Sequence, residues 1–201
     1  PSVDERRFWR LLAAGLGCFL LVELDGLAGL LAGGRGTASA LQTLLFVGLY
    51  VFAAVALELK PHVRHAEPER WRWRRRLEAA GVVVLGLGLL TYFVLLPELL
   101  AVRGFHPSLP SLMVYAAFDS YLIVRGWQLR AATGDRGWRA VYALLLAVFV
   151  LWWVADVAEA ARWAGWLSPT VLGRLLDLLW LPPYLGLVLA ARLRRVRLAS
   201  A

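Results

Sequence analysis

AVFVLWWVADVAEAAR, residues 147–162, is the stretch on which the fold turns. It reads as the second half of a membrane-spanning helix over Trp138–Trp163, and it carries Asp156 and Glu159 three residues apart, hence on one face. A carboxylate inside a bilayer is costly and turns toward a bundle interior or a wet cavity rather than toward lipid. One such helix therefore implies neighbours for its acidic face to meet.

The remainder of the chain supplies them. Of its 201 residues 60% are hydrophobic, against the 45–50% typical of soluble domains, so a polytopic membrane protein is the first reading. Six apolar segments are long enough to cross a hydrocarbon core of about 30 Å as helices. They are Phe8–Leu31, Ala38–Leu59, Leu77–Val102, Ser111–Leu129, Trp138–Trp163 and Pro169–Leu193. The expected fold is all-α, a six-helix transmembrane bundle forming one membrane domain over residues 1–201. Gly15, Gly17, Gly26, Gly29, Gly81, Gly86 and Gly88 fit close helix contacts, and Pro182–Pro183 should break or kink the sixth span.

A cleaved leader is disfavoured. Arg6 and Arg7 precede an apolar run and Ala38-Ser39-Ala40 has the shape of a cleavage site, but the run is long and contains Glu23 and Asp25. The net charge of +8 does not indicate nucleic acid, because the basic residues fall in short clusters between apolar runs. With six spans, all of the 22 Lys and Arg except Arg35, Arg103, Arg162 and Arg174 lie on one side. The positive-inside rule makes that side the cytoplasm and places both termini there, in an inner (plasma) membrane.

The segments also repeat. Phe8-Trp9-Arg10 leading to Glu23-Leu24-Asp25 parallels Gly137-Trp138-Arg139 leading to Val154-Ala155-Asp156, and the returning helices carry Tyr50, Tyr115 and Tyr184. This reads as three related helical hairpins. Counting 1.5 Å per residue from the helix ends, Glu23 or Asp25, Asp119, Asp156, Glu159 and Asp177 share one outer layer. In the bland reading these acids pair with Arg162, Arg174 and Tyr or Trp donors and hold the bundle together. In the sharp reading Asp25, Asp119, Asp156, Glu159, Asp177, Trp153, Trp180 and Tyr184 line a ligand pocket open to the outer face. Trp152 lies as deep as Trp153 and Trp180 and can line that pocket with them or pack in the core. The other tryptophans sit near helix ends, as interfacial belts do, and the basic run Arg70–Arg76 is a topology anchor that can also meet anionic headgroups.

Catalysis is not expected. No serine elbow or phosphate-binding glycine loop occurs, and Ser111 and Ser120 have no neighbouring histidine. No expected span contains histidine to ligate haem, and three scattered His with one Cys make no zinc set. No cofactor can be named. Cys18, the only cysteine, excludes an intrachain disulfide and reads as a small packing residue.

The strings Phe8-Trp9-Arg10-Leu11-Leu12, Tyr115-Ala116-Ala117-Phe118-Asp119, Val154-Ala155-Asp156 and Leu175-Leu176-Asp177-Leu178-Leu179-Trp180-Leu181-Pro182-Pro183-Tyr184 form a further pattern. They resemble the multi-span sensor regions at the N-termini of bacterial signalling proteins, notably diguanylate cyclases with GGDEF or EAL output domains. Leu24 stands where that pattern has Gly, Thr43 where it has Asp, and Val51 or Ala116 where Pro follows Tyr. The resemblance implies an input module with Asp25, Asp119, Asp156 and Asp177 as motif acids and no catalysis in this chain. It also implies further spans and an output domain that the sequence does not contain, so the chain is either part of a longer protein or a fold used alone. Three functions follow as expectations: a sensory or ligand-binding module acting on a cytoplasmic signalling domain or partner, an accessory subunit packed against other membrane subunits, and a small transporter. In each the lipid bilayer is a partner.

Overall fold

The computed structural model describes residues 2–31, 40–62, 69–100, 108–166 and 181–199. Regular structure among them is entirely helical: α1 (Val3–Leu31), α2 (Ala40–Glu58), α3 (Glu69–Leu90), a π-helical turn (Thr91–Leu95), α4 (Leu96–Leu99), α5 (Ser108–Ala132), α6 (Arg136–Trp163) and α7 (Leu181–Ala199). Among the described residues four stretches are long and apolar enough to cross a membrane: Val3–Gly29, Leu41–Glu58, Arg76–Leu95 and Arg136–Arg162. Six were expected. The fourth expected span forms as α5, but Asp119, Arg125 and the polar tail Gln128–Arg130 lower its hydropathy. Of the sixth, residues 169–180 lie outside the described residues, and α7 closes on Arg192, Arg194, Arg195 and Arg197.

The helices begin earlier than hydropathy alone indicates, because polar caps start them. At α1 the Glu5 backbone N–H donates to Ser2 Oγ at 3.1 Å, the first half of a Ser-x-x-Glu capping box, so the helix starts at Val3 and not at Phe8. At α6 the Asp135 carboxylate accepts from the N–H groups of Gly137 (2.7 Å) and Trp138 (3.0 Å). The basic run 70–76, which precedes the third expected span, is helical as part of α3.

The π-helical turn has a cause in the sequence. Pro97 has no N–H to give the carbonyl of Phe93, and its ring crowds that carbonyl. The chain accommodates this by widening: the Leu96 N–H donates to Thr91 O, five residues back. Pro182 and Pro183 lie at the edge of the described part of α7, and residues 167–180 before it lie outside the described residues.

The chain groups into two compact units, 1–61 with 66–105, and 62–65 with 106–201. In the first, α2 packs against both α1 and α3; in the second, α6 packs against both α5 and α7. Within the units, the contacts include the expected hairpin pairings of α1 with α2 and of α6 with α7, and add α2 with α3 and α5 with α6.

Small residues set the close approaches. A Cβ on Gly15 would lie 3.2 Å from Leu49 O, and one on Gly48 would lie 3.3 Å from Cys18 Sγ, which gives Cys18 the packing role expected. With Phe19 and Phe46 at 6.0 Å between ring centroids, these contacts align α1 and α2 antiparallel. In the second unit a Cβ on Gly186 would collide with Val148 Cγ2, and one on Gly126 would rest against Phe149 and Leu146. Gly17, Gly26, Gly29, Gly81 and Gly88, expected at contacts, face open space, because α1 and α3 each meet their unit on one side only.

Candidate functional site

The second unit holds the acids. Asp119 on α5 is 0% exposed and Asp156 on α6 is 2% exposed. Gly126 meets α6 between Leu146 and Phe149. α5 and α6 run antiparallel, so stepping seven residues back along α5 advances α6 by seven and brings Asp119 level with residues 153–156. The two carboxylates therefore occupy one depth of the unit. Tyr115 and Ser111, both buried, lie one and two turns along the Asp119 face of α5.

Trp152 lies one turn before Asp156 on the same face and is buried. Its ring meets Phe149 at 5.9 Å and Tyr184 of α7 at 5.8 Å, the latter edge-on. Tyr184 is half-buried, with its hydroxyl inside the unit. The site thus draws on all three helices: an acid from α5, an acid and an indole from α6, and a phenol from α7.

Other expected residues stand elsewhere. Trp153 is 39% exposed, because successive helical residues are about 100° apart and only one of the adjacent indoles can face inward. Glu159 is half-exposed and pairs with Arg162 at 3.1 Å, the intrahelical pair its spacing allows. Asp25 belongs to the first unit, is exposed, and accepts from Gln42 Nε2 at 2.8 Å. Asp177, Trp180 and Arg174 lie outside the described residues.

The sequence reading overlooked a second polar cluster, at the other end of the first unit. Glu5 and Glu58 are buried, and Lys60 reaches Glu58 at 4.0 Å and Glu78 at 3.3 Å. Arg74 closes the set on Glu78 at 3.0 Å. The signals were present: a Ser-x-x-Glu box before α1 and an acid ending an apolar run beside Lys60. His62, outside every expected span, has its Nδ1 2.8 Å from Tyr142 Oη, and Tyr142 leans on Trp138 at 5.5 Å. Arg194 of α7 lies 4.8 Å above the same Trp138 ring. The basic ends of α6 and α7 are tied together by this stack.

Set against known protein families, curated proteins and solved structures, the chain matches none.

Proposed function

We propose that the chain is an integral membrane input module. Its six helices cross the inner membrane with both termini in the cytoplasm, and the acidic interior of the second unit responds to a ligand or signal that α7 hands to a cytoplasmic partner. One observation carries this reading: Asp119 and Asp156 are both buried at one depth, beside the Trp152–Tyr184 contact that joins α6 to α7. An Asp near the centre of a membrane helix costs about 3 kcal/mol on insertion scales, and acids kept there mark function by default. In this arrangement a change at the acids moves Trp152 against Tyr184 and so shifts α7, a two-state element biased by whatever the acids bind. Burial also refines the expected pocket: in this state the acids are closed off, and binding must open the unit.

The test is purification of the intact protein from its native membrane, with mass spectrometry of the small molecules and proteins that accompany it. The reading expects a companion retained by Asp25→Asn and lost or altered in Asp156→Asn and Asp119→Asn. Identical companions in all three variants would remove the ligand-reading role.

A second reading, an accessory subunit, is favoured by a separate observation. Only 17% of the apolar window is buried in α1, and 17% in α3. Lipid can cover such faces, and so can another membrane subunit. A larger complex in mild detergent that Leu24→Arg and Leu85→Arg dissolve would favour the subunit.

A further inference from the structure

At the basic end of the second unit, where α5 turns into α6, Trp127, Arg130, Ala131 and Arg139 line a recess of about 250 Å³. Arg130 and Arg139 bring two guanidinium groups to it, and among the described residues neither is matched with a carboxylate. Asp135, in the turn between α5 and α6, caps α6 through Gly137 and Trp138. Arg139 is held in place by donating from Nη2 to Thr133 O at 3.0 Å, and the Arg130 guanidinium lies 5.9 Å from the centre of the Trp127 ring.

Local electrostatics make this arrangement unfavourable when empty. Arg136 and Arg139 occupy the first turn of α6, where the helix dipole favours anions and opposes cations. Arg130, in the last turn of α5, adds like charge across a short turn. An anion bridging Arg130 and Arg139 relieves both terms, and guanidinium forks match a phosphate. Position favours a particular phosphate. The recess sits at the start of the Arg136–Arg162 stretch that is long and apolar enough to cross a membrane, and its Trp127 is 60% exposed, as an interfacial indole is.

We infer that this recess binds the phosphate headgroup of an anionic lipid, with Arg130 and Arg139 on the phosphate and Trp127 at the level of the glycerol backbone. The inference needs only that α6 lies in a bilayer; it stands apart from any sensory role of the buried acids.

Native mass spectrometry of the intact chain in detergent, titrated separately with phosphatidylglycerol, phosphatidylcholine and inorganic phosphate, tests it. Phosphatidylglycerol should bind saturably and tighter than phosphatidylcholine. Arg130→Gln with Arg139→Gln should weaken it by about fivefold for each arginine removed, leaving phosphatidylcholine unchanged. Because Arg139 also braces the turn, Arg130→Gln alone serves as the variant that spares the fold, with the single fivefold loss. An equal loss in Arg192→Gln with Arg195→Gln, exposed on α7, would mean diffuse attraction and overturn the site. Unchanged binding in the recess variants would overturn it too, and full displacement by millimolar phosphate would overturn the lipid assignment.

Discussion

Asp119 and Asp156 matter because both are buried within apolar helices, whereas Asp25, at a comparable place on α1, is exposed. Their presence at depth was legible, since an acid within an apolar run has few places to go. Which way neighbouring residues point was not. Lipid and helix packing both accept Trp and Leu, so a span carries little of the polar-apolar alternation that reveals a buried face in water. That is why Trp152 and Trp153 both read as able to line the site while only Trp152 is buried there, and why Asp25, on a helix packed on one side only, reads as inward. If Asp119 and Asp156 share a level, they must feel one another. A double-mutant cycle with Asp119→Asn and Asp156→Asn, read by thermal unfolding in detergent, should return a coupling of about 0.5–3 kcal/mol.

Helix identities were readable from apolar length, whereas their ends depended on chemistry that hydropathy ignores. Ser2, Asp135 and Pro97 each set a local feature by one or two hydrogen bonds made or withheld, and each sits outside or at the edge of the apolar signal. Glycines show the same limit from the other side. Only contact geometry separates Gly186, whose missing side chain admits Val148, from Gly17, which faces open space. Gly186→Ala should destabilise the protein by about 1–3 kcal/mol through overpacking, and Val148→Ala should recover much of that loss. Gly17→Ala should do no harm and add up to about 1 kcal/mol through helix propensity. At the π-helical turn, Pro97→Ala restores a donor to the Phe93 carbonyl. Backbone amide exchange over 91–97 should then slow, whereas faster exchange would refute the assigned cause.

At the scale of the whole molecule, charge and hydropathy spoke clearly about class and less so about grouping. Helical membrane character was readable because backbone polar groups in lipid require it. The full set of packing partners within each unit was less legible, since the repeated Trp-Arg and acidic motifs suggest hairpins alone, whereas α2 also meets α3 and α5 also meets α6. The central claim is that the chain crosses the membrane with Asp156 sealed inside and Asp25 at the outer surface. Single cysteines in a Cys18→Ser background, labelled by a membrane-impermeant maleimide in intact spheroplasts, test it most directly. Asp25→Cys should label at once, Arg195→Cys only after permeabilisation, and Asp156→Cys only after unfolding. Labelling of Asp156→Cys as fast as Asp25→Cys, or of Asp25→Cys and Arg195→Cys from the same side, would contradict the account.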